Sequence, residues 1–279
     1  IMLQFINVNI DKYTFIVFTT EPQTFRKNIK EFIKITVIDI RFPYQKMSML
    51  DHFQQIQYVT RWYKDYFKNH PITEQDYFYS CSDFAPDVIP VAQLKKRYKF
   101  KWIATIYLFI PNPWENIIKK YGFPFIKYFI YYLYQSFLFR RYMLKYASFF
   151  FITNDLDKKH FPDQWHKRIF AIYGGVNIDQ IPDSGPKKYK YDAVFCGRIH
   201  PQKGILRLLH IWSNVVKEIP TAKLAIIGNS DDDYDKYIAT QIVKMKLNEN
   251  ITMLGYLNGI EKYKVYQRSK MLLHTSVYD

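Results

Sequence analysis

Apolar residues follow two rhythms along this chain. Short runs rich in β-branched and aromatic residues at 15–20, 35–40, 76–81, 101–107, 148–154 and 169–173 predict strands. Glu21-Pro22 closes the first, and Arg41-Phe42-Pro43 the second. Between the runs the apolar spacing changes to three and four. Over 48–69, Phe53, Ile56, Tyr58, Val59, Trp62, Tyr63, Tyr66 and Phe67 recur at the period of a helix. Residues 84–96 read as another helix with Pro86 in its first turn, and 155–161 as a short one capped by Asn154 or Asp155. Strands alternating with helices predict an α/β fold whose parallel sheet is covered on both faces.

The alternation resumes in the second half. Val194, Phe195 and Cys196 read as the end of a buried strand. Gly197 and Arg198 follow, then a short polar loop, then Lys203-Gly204 opening an amphipathic run over 205–216. The first amides of a helix lack intrahelical acceptors and carry the positive end of its dipole, so they attract phosphate. Arg198 can fork onto two phosphate oxygens while Lys203 adds a mobile point charge. Glycine at 197 and 204 would let the backbone come close to a ligand. Taken alone, the loop is equally an ordinary strand-to-helix turn with two solvated cations.

Further stretches follow in a fixed order: Pro220 through Leu224 and Ile226 to Gly228, then Asn250-Ile251 to Gly255, then Ser269 to Ser276 and Asp279. From about 192 onward this order and spacing resemble the donor-binding half of retaining glycosyltransferases of family 4. That family has the GT-B fold, two Rossmann-like domains whose parallel sheets face a central cleft. The resemblance implies transfer of a sugar from a nucleotide-sugar donor to an acceptor hydroxyl with retention. It implies that Arg198 and Lys203 grip the donor diphosphate and do the catalytic work. Gly197, Gly204 and Gly228 would line the donor site, and Tyr256 and Leu257 would lie near the nucleobase. Asp279 stands where the family begins its Glu-seven-residues-Glu signature. Tyr107 takes the place of a His near the reacting sugar, where its hydroxyl could hydrogen-bond the substrate; the other reading is a strand-end core aromatic. No cofactor or metal is implied beyond the nucleotide-sugar substrate.

Gly174-Gly175-Val176-Asn177 matches the family's "NGVD" element. The expected organisation is therefore an acceptor-side domain at 1–175, a linker at 176–190 and a partial donor-binding domain at 191–279. The family's glycine-rich first loop and second signature acid are not found, so truncation at both ends is expected. A non-catalytic protein that binds a nucleotide-sugar or a membrane is then the alternative.

Residues 123–139 are strongly apolar and aromatic, flanked by Lys119, Lys120, Arg140, Arg141 and Lys145. A transmembrane helix needs roughly 20 apolar residues, and Lys127 and Gln135 interrupt this run. On a helix, Phe125, Phe129, Tyr132, Leu133 and Phe137 share a greasy side. An interfacial helix, a long core helix and a spanning helix are the three readings. The interfacial one would bring 119–145 to an anionic membrane surface and suit a lipid-linked acceptor or cell-surface glycan precursor. The expected location is cytoplasmic and peripheral at the membrane.

A formal net charge of +15 points to an anionic surface or polyanion nearby. A basic nucleic-acid-binding protein is the weaker alternative, but the cations are scattered and no such motif appears, so no nucleic acid is expected. No G-x-G-x-x-G follows a strand, which argues against a nicotinamide dehydrogenase. Cys81 and Cys196 each end an apolar run and read as two buried free thiols. His200 reads as loop filling, Asp231-Asp232-Asp233 as a solvated helix cap, and neither His200 nor His274 has a zinc pattern around it. No secretory signal peptide is visible.

Overall fold

A computed structural model describes residues 2–27, 34–42, 49–114, 125–176, 178, 181–182, 188–230 and 233–276. The chain divides into two compact units, Ile1–Gly175 and Val176–Asp279.

The first unit runs α1 (Met2–Asn9), β1 (Phe15–Thr19), α2 (Pro22–Lys27), β2 (Ile35–Asp39), α3 (Met49–Asn69), β3 (Tyr77–Ser80), α4 (Ala85–Lys95) and β4 (Lys101–Ile106). Then come α5 (Phe125–Leu138), a π-helical turn (Phe139–Met143), a helical turn (Leu144–Tyr146), β5 (Phe149–Ile152), two 3-10 segments (Asp155–His160, Asp163–Arg168) and β6 (Ile169–Ala171). β1 and β2 pair in parallel, and β3-β4-β5-β6 form a second parallel sheet in sequence order.

On β4, Trp102, Ala104 and Ile106 are buried against α3, α4 and the π turn. Ile103 between them is only half-buried, and Phe149 and Phe151 alternate the same way with buried Phe150 and Ile152 on β5. Tyr77 and Phe170, at 53% and 49% exposure, lie in the same alternating positions of β3 and β6. Such alternation marks a sheet packed on one side. Among the described residues the second face is covered only in part: Thr105 is buried there, while the edge positions Tyr77 and Phe170 are open. α3 buries Ile56, Val59, Tyr63 and Phe67 at helical spacing, but Phe53, expected with them, is 64% exposed. Phe18 of β1 reaches the same core, with its ring against Trp62, Tyr63, Tyr66, Phe67 and Phe78.

α5 leaves Leu133 and Phe137 of the greasy side read from its spacing exposed, and turns Tyr134 and Gln135 inward. Leu138 and Tyr134 pack with Ile56, Ala85 and Ile89, while Ile126, Ile130, Leu133 and Phe137 are exposed. No helix among the described residues is long and apolar enough to cross a membrane; residues 115–124 lie outside them. Gln135 points inward. Its Nε2 donates to Asp83 Oδ2 (2.7 Å) and to the Leu108 carbonyl (2.8 Å), and its Oε1 accepts from Ile110 N (2.8 Å).

The second unit runs β7 (Tyr191–Cys196), a 3-10 turn (Pro201–Lys203), α6 (Ile205–Glu218), β8 (Leu224–Ile227), α7 (Tyr234–Lys244), β9 (Ile251–Gly255), α8 (Gly259–Gln267) and β10 (Ser269–Leu273). The strands are parallel in the order β10-β7-β8-β9. β8 is buried at every position, as a central parallel strand should be. α6 buries Ile205, Leu208, Leu209 and Trp212, steps of three, one and three along one face. Asp192 ties the start of β7 to both neighbours: Oδ2 accepts from Lys223 N (2.9 Å) and Oδ1 from Lys270 Nζ (2.7 Å). Those two bonds, the Lys270 one foremost, hold its carboxyl below the usual range.

Ser80 is the polar pin of the first core. Its Oγ accepts from buried Trp102 Nε1 (2.9 Å) and donates to the Asp87 carbonyl (3.1 Å). Ser80→Ala leaves the indole N–H without an acceptor and should lower unfolding free energy by about 1–3 kcal/mol, read as an earlier urea midpoint with an unchanged slope.

Candidate functional site

In the second unit the strand ends are knitted into a continuous rim. Gly197 N donates to Ile227 O (3.0 Å), Ile199 N to Asn229 O (2.9 Å) and Gly228 N to Gly255 O (2.8 Å). Gly228 has φ 140°, and a Cβ there would sit 1.8 Å from Gly197 O. Only glycine permits both that backbone conformation and that approach.

Beyond the rim, His200 Nδ1 accepts from Gln202 N (3.2 Å) and caps the 3-10 turn at 201–203. Gly204, at φ 66°, then reverses the chain into α6. Leu208 N to Gly204 O (2.9 Å) is the first α-helical bond, so the amides of Ile205, Leu206 and Arg207 stand ahead of the helical ladder. Lys203 folds back so that its Cγ lies 4.0 Å from where a Gly197 Cβ would be. Arg198 is exposed and Lys203 half-buried. The structure thus gathers Gly197, Arg198, Lys203, Gly204 and Gly228 at the carboxyl end of a parallel sheet, beside a helix N-terminus. An anion placed there meets two cations and a set of forward-pointing amides.

The physical reasons for the glycines differ from those read in the sequence. A Cβ on Gly204 would lie 2.0 Å from Thr275 O, and one on Gly228 would strike Gly197 O, so the chain itself fills the space beside both. At Gly197 a Cβ would meet nothing nearer than the Phe195 ring at 3.5 Å, an ordinary contact. Thr275 was not picked out from the sequence, yet its Oγ1 is within hydrogen-bond distance of the carbonyls of Lys203 (3.1 Å) and Gly204 (3.2 Å). The next residue, Ser276, has a buried Oγ with no hydrogen-bond partner among the described residues. The one sequence signal for this pair was the Ser of the terminal segment.

Tyr256 follows Gly255 (φ 67°) out of the rim and is 68% exposed, whereas Leu257 turns inward against the core formed by Val194 and Ile227. Asp279, Asn177 and the acids at 231 and 232 lie outside the described residues. The two thiols are not deeply buried as expected: Cys81 is exposed and Cys196 half-buried, because both sit where strands run out into loops. No cluster of potential metal ligands occurs among the described residues.

Tyr107 belongs to the first unit, just beyond β4, at 43% exposure. Burial of the hydroxyl, followed by the neighbouring Tyr79 and Cys81, pushes its pKa up to about 12. It therefore stays a neutral phenol at ordinary pH, able to donate or accept but unsuited to act as a base. Nearby, burial raises the Asp83 and Asp87 carboxyls, opposed by the Gln135 bond at Asp83 and the Ser82 bond (2.6 Å) at Asp87.

Residues 177–279 match the family model described as Glycosyl transferases group 1. Over 90 residues the chain is 34% identical to the poly(glycerol-phosphate) alpha-glucosyltransferase of Bacillus subtilis, a match covering 32% of this chain and 13% of that protein. The chain spans less than half the length of the curated relatives it matches. Among solved structures, sucrose-phosphate synthase of Thermosynechococcus elongatus superimposes with a TM-score of 0.71 at 15% identity, over 98% of this chain and 68% of that one. The Anabaena protein HepE, solved with UDP and glucose, gives 0.63 at 15% identity over 99% and 69%. The fold is α/β of the GT-B type, and the match to the group 1 glycosyl transferases lies in residues 177–279.

The rim itself is open to test. Gly228→Ala should cost about 2–4 kcal/mol through positive-φ strain and overpacking, seen as a lower thermal midpoint; Gly197→Ala should change it far less.

Proposed function

We propose that the chain, with a second unit matching the group 1 glycosyl transferases, moves a sugar from a nucleotide-sugar to an acceptor hydroxyl with retention. The observation that carries this reading is the fold-back of Lys203 over Gly197, the residue before Arg198, just ahead of α6. As the glycosidic bond breaks, negative charge grows on the departing diphosphate. Cations and amides already in place there stabilise that charge more than the ground state and lower the barrier. Arg198 supplies a planar fork, Lys203 a point charge, and Thr275 holds the turn that carries Lys203. The exposed ring of Tyr256 offers a platform for the nucleobase. Neighbours solved with UDP favour a uridine diphosphate sugar as donor.

The acceptor in this reading is a lipid-linked or cell-surface glycan precursor, reached by peripheral attachment to a membrane. Support comes from α5, where Ile126 (74%), Ile130 (49%), Leu133 (49%) and Phe137 (55%) form an exposed apolar stripe. Trp114, 69% exposed, packs edge-on against Phe129 and Tyr132 of the same helix, and Arg141 and Lys145 are exposed at its far end. An indole and aliphatic side chains rimmed by cations suit the boundary between anionic headgroups and acyl chains.

Arg198→Ala and Lys203→Ala should each cut UDP release from UDP-glucose, with acceptor present, by about 10²–10³-fold without moving the unfolding midpoint. Near-normal turnover in both would refute the assignment. Separately, the double change Ile130→Glu and Phe137→Glu should abolish flotation with phosphatidylglycerol vesicles while leaving UDP binding intact.

A further inference from the structure

We infer that the first unit carries a second anion site, a cavity for a phosphate ester attached to a ring or apolar body. It stands on the first unit alone and needs no sugar transfer. The cavity, about 760 Å³, opens beyond the carboxyl ends of β4 and β5, where open parallel sheets receive ligands.

Its apolar wall is a trio of rings. Phe109 meets Phe139 at 5.3 Å and Phe161 at 5.6 Å, and Phe139 meets Phe161 at 5.0 Å, all edge to face. His160 lies over Phe109 with ring centroids 4.4 Å apart. The polar wall is cationic. Arg140 and Lys159 line the cavity, are exposed, and have no ion-pair partner among the described residues. The neighbouring Lys158 is by contrast neutralised by Asp155 at 2.6 Å. The one carboxylate on the wall, Asp157, accepts from Asn154 Nδ2 at 2.8 Å and balances only one of these two cations. Positive charge is thus left over, facing a space large enough for a small organic ligand.

The backbone bends where this charge is presented. Leu144 N donates to Phe139 O, an i to i+5 bond, so α5 widens into the π turn that holds both Phe139 and Arg140. A widened turn rotates the residues after it relative to the helix before it. Phe139 is thereby seated in the core while Arg140 stands at the mouth. Turns of this kind cost hydrogen-bond quality and recur at functional sites. A guanidinium fork and an ammonium across an aromatic wall match the two halves of a phosphate ester: oxygens on the cations, body on the rings.

Two probes separate the sources of such an ester. Phenyl phosphate represents a soluble one, and dihexanoyl phosphatidylglycerol below its micelle concentration a lipid headgroup. Each is titrated calorimetrically into the full chain and into the variant carrying Arg140→Gln and Lys159→Gln. UDP binding, which reports the second unit, and the unfolding midpoint serve as controls. Loss of about tenfold or more in affinity for either probe, with both controls unmoved, supports the site, and the probe affected identifies the source. Equal affinity for both probes in variant and parent overturns it. So does absence of binding up to about 10 mM, or a parallel fall in UDP affinity.

Discussion

The second unit depends on one close approach, the passage of Gly228 against the carbonyl of Gly197. It draws the ends of β7 and β8 together at a separation no side chain permits, and the Gly228 amide in turn holds the end of β9 through Gly255. Because strand ends are fixed to one another, the loops leaving them start from known places. Arg198 leaves from one side of that contact, and the stem of Lys203 returns over it. Preorganisation of this sort is what makes charge effective: cations that must first be collected around a leaving group have already spent part of their advantage.

Much of this was legible in the chain because it is local. Strand, glycine, arginine, turn, lysine and helix follow within a dozen residues, and their order alone sets a cationic loop at a helix start. The pinning of that loop by Thr275 was not legible, since it links residues some seventy positions apart across an edge strand. The roles of Gly204 and Gly228 were visible as glycines but not as contacts, because what fills the space beside them comes from elsewhere in the fold.

The first unit shows the same division. Alternating runs located β3, β4 and β5 to within a residue or two, and helical spacing located α3. α8 escaped because Gly259–Gln267 buries no residue and carries no apolar stripe to read. α5 was found, but which of its sides packs on the protein was left open. Its polar residues are few and Gln135 turns inward, so periodicity alone does not choose a side; contacts of Leu138 and Tyr134 with α3 and α4 make the choice. A half-covered sheet was likewise unforeseeable from composition, since strand runs rich in aromatics look alike whether a second layer lies over them or not.

Gln135 reaches three places at once: the carboxylate of Asp83 after β3 and both backbone groups of the segment after β4. One amide therefore couples loops that are otherwise independent along the sequence. In descent with modification such a residue acts as an epistatic lock. A change of length or polarity in either loop is tolerated only if the glutamine changes with it, so the first unit would diversify there in concerted jumps, while its solvent-facing strand positions drift one at a time.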